Sequence, residues 1–232
     1  MIAKDVLLID NDFEFTQLLR EYLAGDRLTI DVFCDDQPAC VAAALTGRYA
    51  IAVIDVSAPD ARGLTILREI RAHSRMAVVL LIANDDPLDR ARALQSGADE
   101  CFARPCHPQE LSNCLKSMRR RMLDAEAGIG TASVQFLGAL AIWANLQRAE
   151  WNGRPLDLTS TEFHLLGTLA NAGARPVSKQ ELSIRALGRP YAAYDRNIDL
   201  QMNNISSKLN AATNGQAYIQ PVYRQGYQLV RA

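Results

Sequence analysis

Long apolar runs are missing from this sequence. The longest near-apolar stretches, such as Ala77–Ala83, fall far short of the roughly 20 residues that a membrane span requires. Met1-Ile2-Ala3-Lys4-Asp5 lacks the basic-then-apolar layout of a signal peptide, so a cytoplasmic protein with no membrane partner is expected. The five cysteines (Cys34, Cys40, Cys101, Cys106 and Cys114) form no CxxC pair, and none of the three histidines (His73, His107, His164) stands at zinc-like spacing from them. They read as free thiols in a reducing compartment. No nucleophile–base pair, phosphate-binding loop or dinucleotide-binding glycine motif is present. The expectation is therefore not an enzyme, with no catalytic residue to nominate and no cofactor required.

An overall excess of positive charge is also missing, since 25 Lys+Arg meet 26 Asp+Glu for a net of −1. The distribution says more. Residues 1–132 hold 15 basic and 20 acidic side chains, a net of −5, and residues 133–232 hold 10 and 6, a net of +4. An acidic regulatory half joined to a basic half that faces nucleic acid fits this split.

What is present begins with an alternation. Short apolar runs (Val6–Ile9, Ile51–Ile54, Val78–Ala83) and strand-like Thr29–Phe33 and Glu100–Ala103 interleave with helical patterns at Phe13–Leu23, Pro38–Leu45, Leu64–Ala72, Leu88–Ser96 and Pro108–Met122. Fully apolar strands alternating with amphipathic helices predict an α/β, doubly wound, five-stranded parallel sheet covered on both faces. In such sheets the functional groups gather at the carboxyl ends of the strands, where Asp10, Asp55 and Ala83 fall. Two carboxylates at neighbouring strand ends can hold one divalent cation such as Mg²⁺. A metal beside a carboxylate lets that carboxylate accept a phosphoryl group.

After a small, Gly-containing segment the rhythm changes. The domains predicted are 1–122, a linker at 123–133, and 134–232. Val134–Trp143 and Arg148–Leu158 read as strands, with Asn152-Gly153 as a type I′ turn. Thr159-Ser160-Thr161-Glu162 and Ser178-Lys179-Gln180-Glu181 are capping boxes that open two helices. Asp195 begins a third helix, and Ala217–Gln220 with Gln225–Val230 closes in a hairpin. Sheet, three helices and hairpin make an α+β winged helix-turn-helix. Ile198, Met202, Ile205 and Leu209 recur at core spacing, whereas Gln201, Asn204 and Lys208 are read as projecting from another face. Asn and Gln amides suit adenine, and Lys suits guanine or phosphate.

At these residues the sequence resembles two known groups. Val6-Leu7-Leu8-Ile9-Asp10-Asn11-Asp12, Asp55 with Pro59 and Gly63, Gly97-Ala98-Asp99-Glu100 and Arg104-Pro105 are similar to response-regulator receivers of CheY/flavodoxin-like fold over residues 4–122. Leu158–Leu166, Val177–Leu182, Asp195-Arg196-Asn197-Ile198-Asp199, Lys208-Leu209 and Gly226-Tyr227 resemble the OmpR/PhoB winged-helix signature over residues 134–231, in wording most similar to its CpxR branch. The resemblance implies that Asp55 is the phosphoacceptor, that Asp10, Asn11, Asp12, Asp55 and the Ser57 carbonyl line the acidic pocket, and that Mg²⁺ would sit there. It implies a homodimer through a face carrying Arg92, Asp99, Glu100, Glu110 and Arg121. It also implies double-stranded DNA read by Arg196, Gln201, Asn203, Asn204, Ser207, Lys208, Tyr223 and Arg224. RNA polymerase, met by the loop holding Tyr191 and Tyr194, and a sensor histidine kinase are the further partners implied.

The departures are as informative as the matches. The family's acidic pair reads Asp10-Asn11, its switch hydroxyl is Ile82, its aromatic switch position is Cys101, and its lysine is Arg104. Arg62 precedes Gly63 where an acidic or amide residue is common. Cys114 stands where an arginine partner for Glu100 is expected. The recognition helix carries Asn203, Asn204, Ser206 and Ser207 where the family has arginines, and Tyr223 stands where a groove-reaching arginine is expected. The expectation is a dimeric DNA-binding transcription regulator whose atypical receiver is weakly controlled, or not controlled, by phosphorylation. A conventional switch at Asp55 and a regulator that has exchanged DNA for protein contacts are the alternatives.

Overall fold

Val6, Leu7 and Leu8 are fully buried, and the six residues of the fourth strand are buried without exception, as expected of strands covered on both faces. In the computed structural model, residues 4–25, 28–34, 37–56, 62–127, 134–191 and 196–231 are described. The chain divides into two compact units, Met1–Arg119 and Arg120–Ala232.

The first unit runs β1 (Lys4–Ile9), α1 (Phe13–Ala24), β2 (Ile30–Phe33), α2 (Gln37–Ala44), β3 (Tyr49–Asp55), α3 (Arg62–His73), β4 (Ala77–Ile82), α4 (Pro87–Gln95), β5 (Glu100–Ala103) and α5 (Pro108–Ala127). The strands form one parallel sheet in the order β2-β1-β3-β4-β5. The direction of winding reverses between β1 and β3, so a crevice opens at their carboxyl ends. Asp10 follows β1 and Asp55 ends β3, on the two sides of that crevice. Asp12 caps α1 by accepting from the Phe15 N–H (2.9 Å), and Asp86 caps α4 ahead of Pro87. α5 continues to Ala127, five residues past the helix end expected at 122, so the segment foreseen as linker begins as helix. Residues 128–133 lie outside the described residues.

The second unit starts with an antiparallel sheet, β6 (Val134–Leu137), β7 (Leu140–Trp143), β8 (Arg148–Trp151) and β9 (Arg154–Pro155), paired in that order. The single strand expected over Val134–Trp143 is two, because Gly138 turns the chain at φ +65°. The Asn152-Gly153 turn has both residues at positive φ (48° and 77°), as a type I′ turn demands. α6 (Ser160–Ala172) opens on a complete capping box between Thr159 and Glu162. α7 (Lys179–Leu182) passes into a π-helical turn at Ser183–Leu187. α8 (Asn197–Thr213) and the hairpin β10 (Ala217–Val222) and β11 (Gly226–Arg231) complete the unit. Leu165, Leu166, Leu169, Leu182, Ile198, Ile205 and Leu209 form its core. Gly226 is required where β11 meets the segment before α7, because a Cβ there would collide with the Val177 carbonyl.

Candidate functional sites

The first site lies at the β1/β3 crevice. Asp10 is 5% exposed, and its Oδ1 accepts from the Asp12 N–H at 2.9 Å. Burial is the largest influence on Asp10 and raises its pKa above the ordinary value of 3.8; the Asp12 N–H and the Arg104 charge oppose that rise. Arg104, just beyond β5, reaches across the end of the sheet. Its Nη2 donates to Asp10 Oδ2 and to Asp55 Oδ2 (3.3 Å), and its Nη1 donates to Asp12 Oδ2 (3.2 Å). The guanidinium carbon stands 4.0 Å from the centroid of the Phe15 ring. Gly63 serves the same site: a Cβ would meet the Asp55 carbonyl oxygen at 2.7 Å, which is why this helix start tolerates no side chain.

The remaining sequence candidates fall as follows. Asn11 is exposed beside the pocket. Ser57 lies outside the described residues. Ile82 is buried at the end of β4, where its carbonyl accepts from the Arg104 N–H (2.7 Å). Cys101 is buried, and desolvation pushes its thiol up to about 12, so it is inert at neutral pH. Arg90 covers it, donating to the Cys101 carbonyl (3.0 Å) and to Asp85 (2.5 Å). The family's divalent cation does not fit this donor set. Asn11 offers a neutral amide, and the carboxylates that would bind an ion are bridged by a guanidinium.

Two residues foreseen on the dimer face are buried within the first unit. Asp99 is 1% exposed; its Oδ2 accepts from the Val78 N–H and from Arg71, both at 2.8 Å. Arg71 on α3 also donates to the carbonyls of Gly97 (2.8 Å) and Met76 (2.6 Å), clamping the turn before β5. Asp99 thus answers a cation within its own fold. Glu100 is also buried, its Oε1 accepting from the Cys101 N–H (3.2 Å). Arg92 and Glu110 are exposed, and Arg92 approaches Asp89 at 3.5 Å.

The second site is the outer face of α8 with the hairpin turn. Ile198, Met202, Ile205 and Leu209 are buried as expected. Gln201 is buried with them, fully inaccessible, and is not a base reader. It lies three residues after Ile198 and four before Ile205, which puts it on the core stripe. Asn203, Ser207 and Asn210, spaced four and three apart, form the exposed face, with Asn204 at its margin. Lys208 turns back to α6: its ammonium is 2.6 Å from Glu162 Oε2, a carboxylate only 2% exposed that also accepts from the Thr159 N–H. The sequence identified Glu162 only as a capping residue. Arg196 is exposed at the start of α8; Asp195, expected to cap that helix, lies outside the described residues. Tyr223 is 81% exposed at the hairpin turn, and Arg224, at φ +58°, stacks on its ring at 5.1 Å. Tyr227 donates to Asp199, which also holds Lys179 at 2.7 Å, so the hairpin, α7 and α8 are tied at one carboxylate. Tyr191 packs against the core of this unit, and Tyr194 is outside the described residues.

The fold and these sites define a receiver domain coupled to a DNA-binding winged helix. The family described as response regulator receiver domain matches residues 6–116, and that described as transcriptional regulatory protein, C terminal, matches 153–229. The chain is 32% identical over 233 residues to the transcriptional regulatory protein CpxR of Klebsiella pneumoniae subsp. pneumoniae (strain HS11286), and 31% identical to CpxR of Escherichia coli (strain K12), covering 98% of each chain in both cases. A solved structure of a RitR mutant shares the fold at a TM-score of 0.75 and 18% identity, over 99% of this chain and 100% of that one. The chain belongs to the OmpR/PhoB family of response regulators, with CpxR proteins among its relatives. It is a DNA-binding transcriptional regulator. Among the described residues, no helix is long and apolar enough to cross a membrane.

Proposed function

We propose that this regulator binds promoter DNA as a homodimer without requiring phosphorylation of Asp55, its receiver serving as an oligomerisation and interaction module. The observation that carries the reading is the Arg104 guanidinium bridging Asp10, Asp12 and Asp55. The bridge engages all three carboxylates of the pocket from within, and Ile82 offers no hydroxyl to bind a phosphoryl oxygen. A switch needs an element whose two states the ligand distinguishes, and a buried isoleucine makes no such distinction. Exposed Arg92, Glu110 and Leu88 (66% exposed) support association through α4 and α5. RNA polymerase is the partner consistent with promoter binding, and a sensor kinase is dispensable on this reading.

The test is enrichment of genomic fragments on purified full-length protein, compared with Asp55→Ala and with protein treated with acetyl phosphate and Mg²⁺. Equal enrichment of one motif with two spaced half-sites in all three supports the reading. Enrichment that appears only after acetyl phosphate and vanishes in Asp55→Ala establishes the conventional switch instead. No enrichment in any condition, even at low salt, points to a winged helix used for protein contacts.

A further inference from the structure

The disagreement between the acidic pocket and a divalent cation goes deeper than a missing ligand charge. Asp10, Asp12 and Asp55 bring three carboxylates to one crevice, and a single guanidinium leaves the cluster with negative charge to spare. Charge alone would therefore admit a cation. Geometry opposes it. Asp10 Oδ1 accepts from the Asp12 N–H and Asp10 Oδ2 from Arg104; Asp12 Oδ1 accepts from the Phe15 N–H and Asp12 Oδ2 from Arg104. Both oxygens of both carboxylates are engaged. Asp12 cannot turn toward an ion without uncapping α1. The Arg104 side chain is 16% exposed, its guanidinium is backed by the Phe15 ring, and its planar fork spans three acceptors as a lysine's point charge does not. A hard ion such as Mg²⁺ needs oxygen ligands at about 2.0–2.1 Å, and here they are obtained only by removing the fork.

We infer that Arg104 is the resident cation of this pocket, a tethered guanidinium among Asp10, Asp12 and Asp55 that excludes divalent ions, so that a divalent ion binds only by displacing it. Arg104, rather than Asn11, is then the residue that sets cation selectivity at the crevice. The inference rests on the phosphorylation-independent reading above, but it is tested without DNA or phosphodonor, so the two can fail separately.

The experiment is Mn²⁺ binding to the full-length protein, followed by electron paramagnetic resonance, with thermal unfolding in the absence and presence of millimolar MgCl₂. The wild type is expected to show no saturable Mn²⁺ binding in the low millimolar range and no Mg²⁺-dependent rise in melting temperature. Arg104→Gln is expected to melt lower without Mg²⁺, to be restabilised by it, and to bind Mn²⁺ at least about tenfold more tightly than the wild type. Asn11→Asp with Arg104 in place is expected to gain little. Micromolar binding by the wild type would overturn the inference. So would tight binding by Asn11→Asp, which would make the amide the barrier, or an Arg104→Gln protein that folds and binds no better. If Arg104→Gln does not fold, Arg104→Lys decides the same question, with a gain of Mn²⁺ binding expected and an unchanged affinity overturning it.

Discussion

At the scale of single residues, two charged pairs that no local pattern announces determine what the sites can do. Asp10 is held above its ordinary pKa chiefly by burial, and Arg104 restrains the rise. Replacing Arg104 by Gln removes that restraint and moves the Asp10 pKa higher still. A carboxyl whose folded pKa exceeds its unfolded value contributes stability that is complete below the unfolded value and lost as pH rises through the folded one. Urea midpoints of Arg104→Gln should therefore fall more steeply than those of the wild type from about pH 4 toward neutrality. Parallel curves would show that Arg104 does not act on Asp10. The second pair is Lys208–Glu162. Lys208→Ala takes this cation away from an almost inaccessible carboxylate. It should cost roughly 1–3 kcal/mol of stability in chemical denaturation, and change affinity for a cognate DNA fragment little once measured on folded protein. A large affinity loss with unchanged stability would return Lys208 to the DNA face.

At the scale of elements, the sequence shows what repeats and conceals what reaches. The receiver strands are legible because burial on both faces turns each into a continuous apolar run, as in Ala77–Ile82. The winged helix is legible through its caps and its Asn-Gly turn, which act within a few residues. Arg104 meets Asp10 and Asp12 across 94 and 92 positions, and only the order of strands brings them together. Asp99 reads as a surface acid because Arg71 stands 28 positions earlier on another helix. Gln201 is a different case. Its side-chain type suggested a base reader, but its spacing from Ile198 and Ile205 had already placed it in the core. On α8 the proposed readers that remain are Asn203, Asn204 and Ser207. Asn203→Ala should weaken a cognate site by roughly 1–3 kcal/mol and relax preference at one base position, leaving the salt dependence unchanged. Quantitative binding to a set of single-base variants checks this, and uniform weakening across all variants would assign Asn203 to the backbone instead.

At the scale of the whole molecule, the surplus of positive charge in the second half overstates the cations that face DNA. Arg148 is paired with Glu150, Arg175 and Arg185 with Glu181, Lys179 with Asp199, and Lys208 with Glu162. Cations paired in this way offer correspondingly less to phosphates. On the proposed DNA face, Arg196 and Arg224 are the exposed cations. Each phosphate neutralised contributes about −0.9 to the slope of log affinity against log salt, so two per protomer give a slope of about −2, or about −4 for a dimer on two half-sites. Arg224→Ala should lower affinity on every sequence alike and flatten the dimer slope toward about −2, because each protomer loses one contact. A salt titration of the full-length protein on an enriched site, by fluorescence anisotropy, measures both slopes. A wild-type slope near about −10, of the size reached when many phosphates are contacted, would mean that the intramolecular pairs open on binding. A regulator with few phosphate contacts holds weakly to non-specific DNA and depends on base readout and on two half-sites being occupied together. On the proposed reading, the strength of a receiver-mediated dimer would then set promoter occupancy, with no charge needing to be added at Asp55.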